Sequence, residues 1–99
     1  MARTSEQTIS KAVMRIAAKR KDRTATFKRL YAEIPGDVAL TQEDCQPSQT
    51  RNGEPMWRQI VRNIRSHHQV QGNAIAEGWL EHVPRVGYRI TKAGIKHII

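Results

Sequence analysis

The sequence holds a single cysteine, Cys45. That excludes a disulfide within the chain and fits a reducing compartment. No apolar run approaches the roughly 18 residues of a membrane span. The first residues, Met-Ala-Arg-Thr-Ser-Glu-Gln, contain no apolar signal core, so a cytoplasmic location is the expectation. Aromatic residues are few, at 5% of 99 residues. At this length a folded chain buries roughly 65% of its unfolded surface. One modest core in a single domain, 1–99, is expected, without a deep substrate cleft. Catalytic signatures are missing as well. Asp37, Glu43 and Asp44 are scattered rather than paired, and there is no glycine-rich phosphate loop and no nucleophile elbow. His67 and His68 are adjacent and diverge on a helix, His82 stands alone and Cys45 falls in a loop, which is not a metal-ligand spacing. The expectation is a binding protein without metal or cofactor, not an enzyme.

Negative charge is scarce too. Seventeen Lys/Arg stand against nine Asp/Glu, a formal net charge of +8. Residues 1–34 carry nine basic and three acidic side chains, residues 35–54 one and four, residues 55–99 seven and two. Two basic segments thus flank an acidic one. Such a field attracts polyanions, nucleic acid first.

What is present is clear hydrophobic spacing. In TISKAVMRIAAKR, 8–20, Ile9, Val13 and Ile16 fall at i, i+4 and i+7 of a helix, with Lys11, Arg15 and Lys19 facing away. KRKDR, 19–23, is a polar connector. In TATFKRLYAEIP, 24–35, a β-capable triplet precedes a helix with Phe27, Leu30, Tyr31 and Ile34 on one side. Thr26 is its N-cap and Pro35-Gly36 its stop. Residues 36–54 show no sustained period and read as a long acidic loop, uncommon in a small domain and often functional.

The segment PMWRQIVRNIRSHHQV, 55–70, predicts a third helix over about 55–69, with Pro55 at its first position. At 100° per residue from Met56, the residues Ile60, Ile64, Trp57 and Val61 fill an arc from about 40° to about 140°. The opposite arc, from about 180° to about 300°, holds Arg65, Arg58, Gln69, Arg62, Ser66 and Gln59, with Asn63 at about 340°. A solvated helix face usually mixes charges, because Glu–Lys pairs at i, i+4 add stability. This arc has arginines and no acid, and Arg58 and Arg62 repel at that spacing unless an anion lies between them. Residues 71–78 are ambiguous, with Gly72-Asn73 ending the helix and a short helix or strand following. WLEHV (79–83), PRVG (84–87) and YRIT (88–91) spell strand, turn and strand. Thr91 caps a last helix whose Ile95, Ile98 and Ile99 point inward.

A small hairpin buries its apolar face only by packing on helices. The expected fold is therefore α+β, a winged helix-turn-helix with a three-helix core, a small β-hairpin wing and a C-terminal helix. The third helix would enter a major groove.

Two stretches, GEPMWRQIVRNIRSHH and GNAIAEGWLEHVPRVGYRITKAG, resemble the winged-helix modules of Mrr-type and modification-dependent restriction proteins, which often precede a nuclease domain. The shared pattern is Trp57, Val61-Arg62-Asn63, Gly78, and Gly87-Tyr88-Arg89-Ile90-Thr91 leading to Gly94. It covers roughly residues 24–97 and is tight at 53–67 and 78–94. One departure is the segment 69–77, where plain Mrr-type modules reach the wing in fewer residues. The resemblance implies a role in restriction and defence, a nuclease domain or subunit as partner, and a modified-base pocket among Trp57, Trp79 and Tyr88. From spacing alone those three are core residues. No cleavage activity is carried over.

The functional expectation is a double-stranded DNA-binding protein of the kind used in restriction–modification or transcription regulation. Arg58, Gln59, Arg62, Asn63, Arg65 and Ser66 would face base edges, arginine suiting guanine and Gln or Asn suiting adenine. For Asn63 a structural hydrogen bond is an equal reading. Arg51, Arg85, Arg89 and Lys92 would meet phosphates. One alternative is a protein-interaction or dimerisation module in which the acidic loop meets a basic partner. Another is an RNA binder using the wing or loops, since an A-form major groove excludes a helix. Monomer and homodimer both remain open, and no membrane partner is expected.

Overall fold

The computed structural model describes residues 3–48 and 53–99. Its elements run α1 (Glu6–Ala18), β1 (Thr24–Thr26), α2 (Phe27–Asp37), α3 (Met56–Ser66), β2 (Leu80–Val83), β3 (Gly87–Ile90) and α4 (Lys92–Ile98). They form an α+β domain whose three-stranded antiparallel sheet has the order β1–β3–β2. Along β3, Tyr88 and Ile90 are buried and Arg89 is exposed, so one sheet face meets the helices and the other meets solvent. Among the described residues no helix is long and apolar enough to cross a membrane.

Local chemistry sets the helix starts. The Ser5 hydroxyl accepts from the Thr8 amide at 3.1 Å, so α1 begins at Glu6, before Ile9, the first residue its apolar period marks. Thr26 caps α2 through the Arg29 amide at 3.1 Å, and Thr91 caps α4 through the Gly94 amide at 3.0 Å. α1 supplies Ile9, Val13, Met14 and Ile16 to one apolar cluster. There they meet Leu30 and Ile34 of α2, Trp57, Ile60, Val61 and Ile64 of α3, and Leu80, Tyr88 and Ile90 of the sheet. Each such aliphatic side chain, once buried, contributes about 1.5–3 kcal/mol relative to exposure.

The third strand completes the sheet across the length of the chain. Thr24, Ala25 and Thr26 pair with Arg89, Tyr88 and Gly87. Gly87 is required there, because a Cβ would run into the Ala25 carbonyl.

Several expectations need correction. α2 does not stop at Pro35-Gly36; it passes through Pro35 to Asp37. The extra residues are held by the Val38 amide on the Ile34 carbonyl at 2.9 Å and by Arg15 of α1, whose Nε reaches Asp37 at 3.0 Å. The connection to α3 is correspondingly shorter than 36–54 at its start. Pro55 is the N-cap of α3, not its first helical residue. α3 ends at Ser66 rather than near 69, and a group from further along the chain takes one of its last carbonyls while another joins its interior. Buried Asn73 donates to the Ile64 carbonyl at 2.9 Å, and the Tyr88 hydroxyl donates to that of Val61 at 2.7 Å. Residues 70–78 form turns, with the Asn73 carboxamide oxygen accepting from the Ile75 and Ala76 amides at 2.8 and 3.1 Å. Ile95 and Ile98 pack on the core, but Ile99 does not point inward, being 95% exposed. Trp57 and Tyr88 are core, whereas Trp79 is half-buried and stacks on His97 with ring centroids 3.6 Å apart.

The connection between α2 and α3 is fastened rather than loose. Thr41 and Asp44 cap one turn reciprocally, the Thr41 amide donating to the Asp44 carboxylate at 2.8 Å and the Asp44 amide to the Thr41 hydroxyl at 3.1 Å. Pro47 and Pro55 form a β-bridge, and the amides of Met56 and Trp57 bond to the carbonyls of Gln46 and Asp44 at 2.9 and 3.0 Å.

Candidate nucleic-acid interface

The buried arc of α3 is the expected one: Trp57, Ile60, Val61 and Ile64. Its opposite side therefore turns away from the core. Arg65 and Ser66 are exposed there, and Arg58, Gln59, Arg62 and Asn63 are half-buried. The half-buried side chains have partners. The Arg58 guanidinium lies over the Tyr31 ring at 4.8 Å and 5.5 Å from the Trp57 ring. Its buried Nε has no hydrogen-bond partner among the described residues. Gln59 accepts from the Ser48 hydroxyl at 2.8 Å. Arg62 donates from Nε to the Tyr31 hydroxyl at 3.3 Å, and its Nη2 pairs with Glu54 Oε1 at 2.9 Å. The Tyr31 hydrogen bond raises the Arg62 pKa, burial opposes it, and the Glu54 charge adds to the rise. Asn63 lines a shallow cleft with Thr4, Glu43 and His67, beside the start of α1.

The hairpin tip is bonded to the start of α2, and α2 meets this helix through Tyr31 and Trp57. The Phe27 amide donates to the Val86 carbonyl at 2.9 Å, which joins the turn to the first residue of α2 and sets Arg85 on one side of that bond and exposed Lys28 on the other. A run of aromatic contacts fixes the three pieces together. Tyr88 meets Phe27 edge-on at 5.5 Å, Phe27 stacks with Tyr31 at 6.2 Å, and Tyr31 meets Trp57 edge-on at 6.0 Å. His82 of β2 lies close enough to α3 that burial first, and the Arg65 charge second, lower its pKa.

Arg85 has φ +65°, a left-handed conformation that favours glycine or asparagine. It follows Pro84 in a turn closed by the Val86 amide on the Val83 carbonyl at 3.0 Å, the pattern of a type II turn with arginine at the glycine position.

Arg89 lies elsewhere, on the sheet. Arg89 projects from the solvent face of the sheet in register with Thr24 and Glu81, and its Nε reaches the Thr24 hydroxyl at 3.3 Å. At that end of β3 the Ile90 amide donates to the Arg23 carbonyl at 2.9 Å. Arg89 thus neighbours the Arg23 end of the preceding turn, and Lys92 is exposed at the start of α4. Arg51, with Thr50 and Asn52, falls outside the described residues.

Comparison with known protein families, curated proteins and solved structures finds no match for this chain.

The acids explain part of what sequence reasoning misses. Of the four between 35 and 54, Asp37 pairs with Arg15, Glu54 with Arg62, and Asp44 is fully buried under hydrogen bonds from Thr4 and Thr41. Glu43 alone of these four is exposed. Burial pulls the Asp44 pKa up, but the hydrogen bonds from Thr4 and Thr41 outweigh it and leave the carboxyl below its usual value. Over the described residues thirteen Lys/Arg are exposed against four acids, Asp22, Glu43, Glu77 and Glu81. Tyr31, Ser48 and Glu54 are the site residues that spacing does not mark. Tyr31 carries the core periodicity of α2, and only its hydroxyl signals a second task.

Proposed function

We propose that this chain binds double-stranded DNA as a winged-helix domain, with the outward arc of α3 in the major groove and the β2–β3 turn on the backbone. The observation that carries it is that arc. It presents Arg65 and Ser66 fully and Arg58, Gln59 and Arg62 in part, and no residue of Met56–Ser66 is acidic. Support comes from exposed Lys28 and Arg85, which the Phe27–Val86 hydrogen bond brings together and which would meet phosphates beside the groove. The element order, with a first strand pairing to the hairpin, supports the winged-helix reading. On this reading the chain is a binder rather than a catalyst. The resemblance to Mrr-type modules adds a partner, a nuclease domain or subunit, and a role in restriction or defence. A protein-interaction module is less well supported, because the connection 38–55 offers a basic partner only Glu43 as an exposed acid among its described residues.

Fluorescence anisotropy with a labelled duplex over a salt series tests this. Log affinity should fall against log salt with a slope near −0.9 per phosphate contacted. Arg65→Ala should weaken binding about tenfold and make that slope shallower by about one if Arg65 meets a phosphate, or relax base preference at one position if it meets a base. No duplex binding at low salt overturns the reading, and stronger binding to single strands or duplex RNA moves it to RNA or single-strand recognition.

A further inference from the structure

Arg62 stands near the middle of the outward arc, and its guanidinium is held along one edge. Nε and Nη2 share that edge of the planar group, and both are engaged, Nε by the Tyr31 hydroxyl at 3.3 Å and Nη2 by Glu54 Oε1 at 2.9 Å. The opposite edge, formed by Nη1 and the second N–H of Nη2, has no partner among the described residues. The Arg62 side chain is 40% exposed. Both anchors are themselves fixed. The Tyr31 ring is packed against Trp57 and Phe27 and lies beneath Arg58. Glu54 has a side chain only 12% exposed, and the bridge between Pro47 and Pro55 ends at the residue after it.

A carboxylate placed only to fasten the connection would fill both of its oxygens. Asp44 does so: Oδ1 accepts from the Thr4 amide at 2.7 Å, and Oδ2 accepts from the Thr4 hydroxyl and from the Thr41 amide at 2.8 Å. Glu54 does not. Its Oε2 is buried with no hydrogen-bond partner among the described residues, an arrangement that costs stability. What Glu54 achieves with its other oxygen is to orient one guanidinium. An arginine loses less rotamer freedom on binding when its fork is already aimed, and a bidentate fork matches the O6 and N7 acceptors of guanine in the major groove.

We infer that Arg62 reads a guanine through its free edge, and that Tyr31 and Glu54 are positioning residues that aim it. This rests on the proposed duplex-binding role and adds to it a base and the residues that select it. It also predicts an unusual sign. Glu54 is an anion close to DNA, so it opposes binding to any duplex while sharpening the choice among them.

The test uses the whole chain, a duplex selected from a random pool, and that duplex with each base pair replaced in turn. For the wild type, one G·C pair should matter by ten- to a hundredfold. Tyr31→Phe, which removes only the hydroxyl, should reduce that ratio to a few-fold with little change on unrelated DNA. Glu54→Gln should reduce the same ratio while raising affinity for unrelated DNA several-fold. Arg62→Lys, at a solvent-accessible side chain, should keep the salt slope and lose the guanine preference. Circular dichroism melts check that the variants are folded, and Arg62→Lys decides the matter if either of the others is not. A chain that binds duplexes but keeps its G·C preference in these variants, or prefers no guanine at all, overturns this inference and leaves duplex binding standing. A chain that binds no duplex overturns both.

Discussion

The hydroxyl of Tyr88 donates to the Val61 carbonyl at 2.7 Å and accepts from the Arg65 amide at 3.2 Å. Those two backbone groups are four residues apart in α3, the spacing at which helical groups bond to each other. A side chain of the sheet therefore takes part in the hydrogen-bond ladder of the helix that carries the candidate interface. Burial pushes the Tyr88 phenol above its usual pKa, so it stays a donor at neutral pH.

Tyr88→Phe should lower stability by about 1–3 kcal/mol, because a buried carbonyl loses its donor. Urea titration followed by tryptophan fluorescence measures the loss. An unchanged midpoint would mean that Val61 and Arg65 close the bond between themselves and that the hydroxyl is dispensable.

Arg85→Gly should separate folding from binding. A left-handed non-glycine residue costs about 1–2 kcal/mol, partly offset by the greater freedom of glycine in the unfolded chain. The variant should therefore melt at the same temperature or higher. If the tip meets a phosphate, its affinity for duplex should fall several-fold with a salt slope shallower by about one. A variant that melts lower would show that the turn does not hold arginine under strain.

Asp44 gives the domain an acid-sensitive fastening. Its pKa is lower in the folded chain than in the unfolded one. The stability it contributes is therefore fully present above the ordinary carboxyl pKa of about 3.9 and is lost as the pH falls through the folded value. Asp44→Asn should cost about 1–3 kcal/mol at neutral pH, and the gap to wild type should close in melts taken at progressively lower pH below about 4. A gap that persists at the lowest pH would assign the loss to shape rather than charge.

How much of this is legible in the sequence depends on distance along the chain. The buried side of α3 is legible because Ile60, Ile64, Trp57 and Val61 follow helical spacing. The caps at Thr26 and Thr91 are legible because a hydroxyl three residues before a helical amide is a local event. The end of α3 is not, since one of its last carbonyls is taken by Asn73, a group from further along the chain. Nor is the fate of the acidic stretch. Composition counts Asp37, Asp44 and Glu54 as surface charge, while Arg15, Thr4 and Arg62 take them up. The candidate site is legible to the same degree. The arginines of α3 stand out by the absence of acids among them, but Tyr31 and Glu54, which hold Arg62, become visible only once α2 and α3 are side by side.

The pairing of Thr24 with Arg89 spans most of the chain. During synthesis, β1 must wait for residues 87–90 to leave the ribosome before it has a strand to join. Until then α1 and α2 carry the apolar surfaces of Ile9, Val13, Leu30 and Ile34 without the sheet that finally covers them. Folding of this domain is thus set to finish only when β3 arrives, and the slow step should be closure of that long loop rather than formation of any helix.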